Sequence, residues 1–219
     1  MKRLLIAAML CCLCALSASA QVQYCMSYAD YQADNWLELD SLSIKERRHE
    51  FRLKTGNDSI DKVLKNEAFA IFYNDTLLVN CQHIYYKGEQ LPKGFVPAYV
   101  YANGKLCLVN SLPADNGATA IPVAIGGGLL GGLVGGAIAG AVVGLSSGRL
   151  SSENARCFLI RREYEDGRID VQMIDDKFME MYEDSSPEFY SEYMSVKKKK
   201  KREAASHVLP LLKEWQLVR

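Results

Sequence analysis

Neither charge is in surplus in this chain, which carries 26 basic and 26 acidic residues among 219. A nucleic-acid binder concentrates positive charge against phosphates, so the balance argues against that class. Histidine is scarce too: His49, His83 and His207 stand far apart, and none pairs with another at metal-ligand spacing. Cys81-Gln82-His83 would put sulfur and imidazole on one face of a strand, but two ligands do not make a zinc site. No phosphate-cradling G-x-x-x-x-G-K-[ST] occurs, and no EF-hand loop. No metal-ligand or cofactor-binding pattern supports an assignment, and a non-enzymatic protein is expected.

What is present begins with an export address. Lys2 and Arg3 form a positive n-region, Leu4 to Leu16 an apolar h-region, and Ala18-Ser19-Ala20 a small-x-small cleavage site. The apolar part is too short to span a bilayer comfortably. Cleavage after Ala20 removes Lys2 and Arg3 and leaves a slight acidic excess. It also removes Cys11, Cys12 and Cys14, leaving Cys25, Cys81, Cys107 and Cys157. An exported chain meets an oxidising compartment, where disulfides form. Four cysteines allow three full pairings. Cys81 and Cys107 both lie in strand-like runs and are the preferred pair, with small buried thiols as the alternative.

The dominant feature is a row of glycines four residues apart: Gly128, Gly132, Gly136, Gly140, Gly144 and Gly148. They sit in a run, Ile121 to Leu145, that contains no charge. A four-residue step keeps them on nearly the same face of a helix. Gly127, Gly131 and Gly135 form a second row beside the first. Such a helix carries a groove without side chains, the glycine-zipper form of small-xxx-small packing in membranes. Residues 121–145 as a helix reach about 37 Å, against a hydrocarbon core of about 30 Å. In water each glycine would cost about 1 kcal/mol relative to alanine, which makes a free soluble helix implausible.

Three arrangements fit the run. It crosses a membrane once, with Arg149, Arg156, Arg161 and Arg162 on the cytoplasmic side. It forms an inserted hairpin, broken near Gly131-Gly132 or Gly135-Gly136, or it lies outside the membrane altogether. A single span would separate the strands before the run from those after it. The two cannot then share a sheet.

On either side the pattern is antiparallel β. Phe69–Tyr73 and Thr76–Cys81 flank Asn74-Asp75, Pro97–Tyr101 and Lys105–Val109 flank Ala102-Asn103-Gly104, and Cys157–Tyr164 and Arg168–Ile174 flank Glu165-Asp166-Gly167. Asn, Asp and Gly tolerate the positive φ of tight hairpin turns. Asp61–Glu67 reads as a short helix. Asp175 or Asp176 caps another through Phe178, Met179 and Tyr182. Pro187 opens a third through Tyr193 and Met194, and Ala204–Trp215 is amphipathic with Pro210 inside. Residues 21–45 show no clear pattern beyond Leu37, Leu39 and Leu42. Lys197–Arg202 reads as a solvated basic face, with contact to anionic head groups as its alternative. Tyr99 and Tyr101 share a strand face, read as core rather than as a ligand surface.

The expected class is α+β: antiparallel hairpins followed by C-terminal helices, interrupted by a glycine-zipper helix or helical hairpin. The divisions are 1–20 (cleaved leader), 21–120 (exported β-rich region), 121–148 (membrane segment) and 149–219 (hairpin and helices, able to co-fold with 21–120).

Four segments carry a resemblance. Phe69–Cys81, Gln172–Met179, Ser185–Tyr193 and Ala204–Leu212 resemble an uncharacterised family of exported proteins from Bacteroidetes-type bacteria, over about Asp40 to the C-terminus. That resemblance implies an exported, envelope-associated protein and supplies no activity, cofactor or site residue. The expected function is a bacterial envelope protein, membrane-associated through a glycine-zipper helix that self-associates. Its partners would be membrane lipid and a second copy. The alternative is a periplasmic or surface binding module in which the run is a structural insertion.

Overall fold

In the computed structural model the described residues are 22–47, 50–113 and 154–219. Twelve strands and six α-helices are described. Ten strands form one sheet in the order β2-β1-β5-β6-β9-β10-β11-β12-β7-β8. They are β1 (Val22–Cys25), β2 (Leu37–Leu39), β5 (Ala70–Tyr73), β6 (Thr76–Asn80), β7 (Ile84–Tyr86), β8 (Glu89–Gln90), β9 (Phe95–Val100), β10 (Leu106–Ser111), β11 (Ala155–Glu163) and β12 (Ile169–Met173). β3 (Ser43–Arg47) and β4 (Glu50–Lys54) pair separately. The helices are α1 (Tyr28–Gln32), α2 (Asp58–Asn66), α3 (Asp176–Met179), α4 (Pro187–Met194), α5 (Lys199–Arg202) and α6 (Ala205–Glu214). The chain is thus mixed α+β, mostly one sheet with helices at its C-terminal end.

The three expected hairpins form where turn chemistry places them. Asn74 and Asp75 hold φ of 47° and 58° between β5 and β6, the left-handed pair a two-residue hairpin turn needs. Gly104 and Gly167, at φ 80° and 76°, close the β9–β10 and β11–β12 turns.

Alternation along the strands divides the core in three. One face buries Ala70, Leu77, Val79, Val96, Leu106, Leu108, Phe158, Ile160, Ile169 and Val171 together. Strands far apart in the sheet order share this cluster, so the sheet curls around it. The α1 backbone reaches across the curl, where the Ala29 N–H donates to Glu163 Oε2 at 3.1 Å. The opposite face carries two separate covers. Beside β1, β5 and β6, Leu64 of α2 packs with Val22, Ile71, Leu78 and Phe95. Beside β10 and β11, the C-terminal helices pack Phe178, Phe189, Tyr193, Val208 and Leu212 against Cys107, Val109, Cys157 and Leu159.

Two expectations are corrected here. Cys81-Gln82-His83 is a 3₁₀ turn leading from β6 to β7, not a strand face. The single-span arrangement fails because β10 pairs antiparallel with β11, Ser111 opposite Ala155. Strands on opposite sides of a membrane cannot hydrogen-bond. The glycine run itself, 121–148, lies outside the described residues, and no described helix is long and apolar enough to cross a membrane.

Candidate functional site

The place where the chain departs for its glycine-rich segment and returns from it is built from two buried strand ends. On β10, Asn110 stands opposite Arg156 of β11, and Ser111 opposite Ala155. Asn110 is buried; its Nδ2 donates to the Pro92 carbonyl at 2.9 Å and its Oδ1 accepts the Ser111 N–H at 2.8 Å. Arg156 is equally buried and donates from Nη1 to the Ala155 carbonyl at 2.9 Å. Burial pushes its guanidinium pKa down, and the charge of Glu203 opposes that shift. Asn110 is thus satisfied at this base, whereas among the described residues the buried Nε of Arg156 meets no hydrogen-bond acceptor.

The C-terminal helices meet the same base. The Ile174 N–H donates to the Cys157 carbonyl at 2.9 Å as β12 ends. Asp175 then caps α3, accepting the Phe178 N–H at 2.9 Å. Asp176, the next residue, grips Arg202 with both carboxylate oxygens: Nε to Oδ1 at 2.9 Å and Nη2 to Oδ2 at 2.6 Å. The Tyr193 hydroxyl also donates to Asp176 Oδ1, at 2.9 Å. Arg202 holds the Asp176 carboxyl below its usual range, and Asp176 raises the guanidinium in turn. Nη1 of Arg202 donates to the Val196 and Lys197 carbonyls at 2.8 and 3.4 Å. One arginine therefore fixes both ends of the segment that displays Lys197 to Lys201, all of them exposed.

The glycines Gly128, Gly132, Gly136, Gly140, Gly144 and Gly148 lie outside the described residues. So does Gly144-Leu145-Ser146-Ser147-Gly148, which has the G-x-S-x-G spacing of a nucleophile turn; its glycines are members of the four-residue row. Cys81 and Cys107 are corrected as a pair. Neither forms a disulfide and both are fully buried, but Cys81 lies in the cluster inside the curl and Cys107 in the one under the C-terminal helices. The sheet separates them. The neighbour of Cys107 is Cys157, diagonal to it across β10 and β11 and hydrogen-bonded to it. That contact and burial push the Cys157 thiol well up.

The remaining candidates are structural. Tyr101 is buried and Tyr99 packs beside it in the same cluster. The hydroxyls of Tyr101 and Tyr182 hydrogen-bond, and burial pushes Tyr99 up to about 12. His207 stacks on Tyr193 at 5.9 Å and contacts its carbonyl. His83 lines a cavity of about 30 Å³ with Ser27, Glu67, Asn80 and Glu163, room for about one water. Among the described residues no three His, Cys, Asp or Glu side chains cluster as a metal site would.

Sequence reading missed the Asp176–Arg202–Tyr193 group and the Asn110–Arg156 base. The only signal for the first was an arginine ending a lysine run. The second needs strand partners that local pattern cannot supply.

Residues 23–219 match a family of unknown function, DUF6563, and the chain belongs to it. No curated protein and no solved structure matches the chain.

Proposed function

Starting from membership of a family without an assigned activity, we propose that the chain is an exported, non-enzymatic protein of the bacterial cell envelope. In this reading residues 121–148 attach it to a membrane by packing glycine against glycine. The observation that carries the reading is the six-glycine row at four-residue spacing in an uncharged apolar run. The leader-like residues 1–20 support export. With β10 paired to β11, the reading takes the form of an inserted hairpin that enters and leaves on one side. Each arm of such a hairpin reaches about 18 Å, short of the roughly 30 Å hydrocarbon core, so it dips in without crossing. Its glycine faces would meet each other or those of a second copy.

The runner-up is a periplasmic or surface binding module. It is favoured by the run's position between two paired strands, where an insertion leaves the sheet intact. The test is cross-linking of the full chain in membranes, wild type against Gly136→Leu. A leucine in the groove keeps helix backbones apart. Loss of the cross-linked dimer supports self-association. Unchanged cross-linking removes the glycine face as the contact, and failure of the wild type to fractionate with membranes removes the attachment.

A further inference from the structure

We infer that the Lys197–Lys201 segment is an electrostatic docking surface for an anionic phospholipid membrane, set beside the base from which the glycine-rich run departs. This rests on the proposed membrane attachment and adds the lipid class that attachment selects. Three independent links place the lysines there. Through β12, the Ile174 N–H bonds the Cys157 carbonyl, one residue from Arg156; two residues later Asp176 holds Arg202 at 2.6 Å, and Lys201 adjoins Arg202. Through α5, the Lys199 ammonium lies 3.6 Å from Glu203, the carboxylate whose charge acts on Arg156. Through the helices, α5 packs on α6 and α6 packs on β11.

The segment is displayed rather than loose. Arg202 is buried and bonded to backbone carbonyls at its start, while the five lysines preceding it stay exposed. Arg202 is taken up by its buried pair, while Lys197 to Lys201 keep exposed side chains, Lys199 among them although it lies 3.6 Å from Glu203. Two more lysines border the same base. Lys93 follows Pro92, whose carbonyl accepts from Asn110. Lys87 is exposed, with its ammonium held first by Tyr86, 5.0 Å over that ring, and more weakly by the charges of Asp175 and Glu203. Glu203 is buried, with its carboxylate 3.6 Å from the Lys199 ammonium, and offers little surface to an approaching membrane.

A cluster of exposed ammonium groups suits a surface of many phosphates. Each lysine near an anionic bilayer is worth on the order of fivefold in partitioning, through an attraction that fades within a Debye length. An apolar segment leaving the fold at the same place would bring the array within that distance.

The test is flotation of the full chain with two vesicle populations, phosphatidylcholine alone and equal parts phosphatidylcholine and phosphatidylglycerol. Wild type is compared with K197Q/K198Q/K199Q/K200Q/K201Q, and circular dichroism confirms that the variant is folded. Arg202 is kept because it is buried in its pair. Wild type should partition at least about tenfold more strongly into the anionic vesicles, and added salt should remove the gain. The variant should lose the preference and keep its binding to phosphatidylcholine. Equal binding of wild type to both populations, or a preference that survives in the variant, overturns the docking surface. Absence of binding to phosphatidylcholine alone counts against the glycine-run attachment and not against the lysines.

Discussion

Ser111 and Ala155 face one another across two hydrogen-bonded strands, so the connection between them begins and ends at one place on the sheet. The neighbouring positions Asn110 and Arg156 are buried, and the strands beyond them belong to clusters on both faces of the sheet. The glycine-rich run therefore belongs to a connection between two neighbouring strands that pair with each other.

Excision tests that relation. Joining Ser111 to Ala155 through Asn-Gly, which supplies a two-residue hairpin turn, should leave a folded protein within about 1 kcal/mol of the parent, since a shorter loop lowers closure entropy. Circular dichroism and thermal melting check it. A chain that no longer melts cooperatively would mean that 112–154 contributes to the core.

The Asp176–Arg202 pair should matter in a pH-dependent way. The carboxyl's pKa is lowered in the fold by Arg202 from an ordinary 3.8. A group depressed on folding stabilises above its unfolded value, and that contribution is lost as pH falls through the folded value. Removing one partner of a fully buried pair costs about 3–5 kcal/mol. Asp176 keeps 25% of its side chain exposed, so Asp176→Asn should cost about 2 kcal/mol at neutral pH. Denaturation from pH 7 to pH 2 should show the two proteins converging in acid. A constant gap across that range would remove the ion pair as the cause.

Asn80 is a second polar anchor. It is buried, and its Nδ2 lies 3.1 Å from the carbonyls of both Lys65 and Ala68 at the end of α2. Its Oδ1 accepts the Gln82 N–H at 3.1 Å, which starts the turn into β7. Asn80→Ala leaves these groups without their partner and should destabilise by about 2–3 kcal/mol. Urea unfolding should show a lower midpoint with an unchanged slope. A change below about 0.5 kcal/mol would mean that water replaces the amide without loss.

Among these features, the hairpins were the most legible in sequence. Asn74-Asp75, Asn103-Gly104 and Gly167 are local instructions, and the strands beside them alternate as a two-sided sheet demands. The Asp175 cap and Pro187 at a helix start are local as well. What stayed hidden is long-range. β7 pairs in parallel with β12, Ile84 opposite Ile169, and nothing near Ile84 announces that partner. Residues 21–45 looked patternless because β1 is only four residues long and lies between β2 and β5. Its assignment depends on neighbours rather than on periodicity. The Cys81–Cys107 expectation failed for a related reason: both cysteines follow strand pattern, but pattern does not say which face of a curled sheet each one occupies.

The thiols give a further check. Burial pushes Cys25 up to about 12, and Cys81, Cys107 and Cys157 are fully buried. The reactive species is the thiolate, so iodoacetamide at pH 8 should leave all four unmodified in the native protein and label them on unfolding. Peptide mapping without reductant should find no Cys81–Cys107 link. Finding that link would mean that the two cysteines share a face.

The most direct measurement is protease access to both flanks of the run in intact inner-membrane preparations, with the outer membrane permeabilised. One tag follows residue 21 and another ends the chain. The β10–β11 pairing predicts that both tags are cut together or protected together. One tag cut while the other survives would put the flanks on opposite sides of the membrane and contradict the shared sheet.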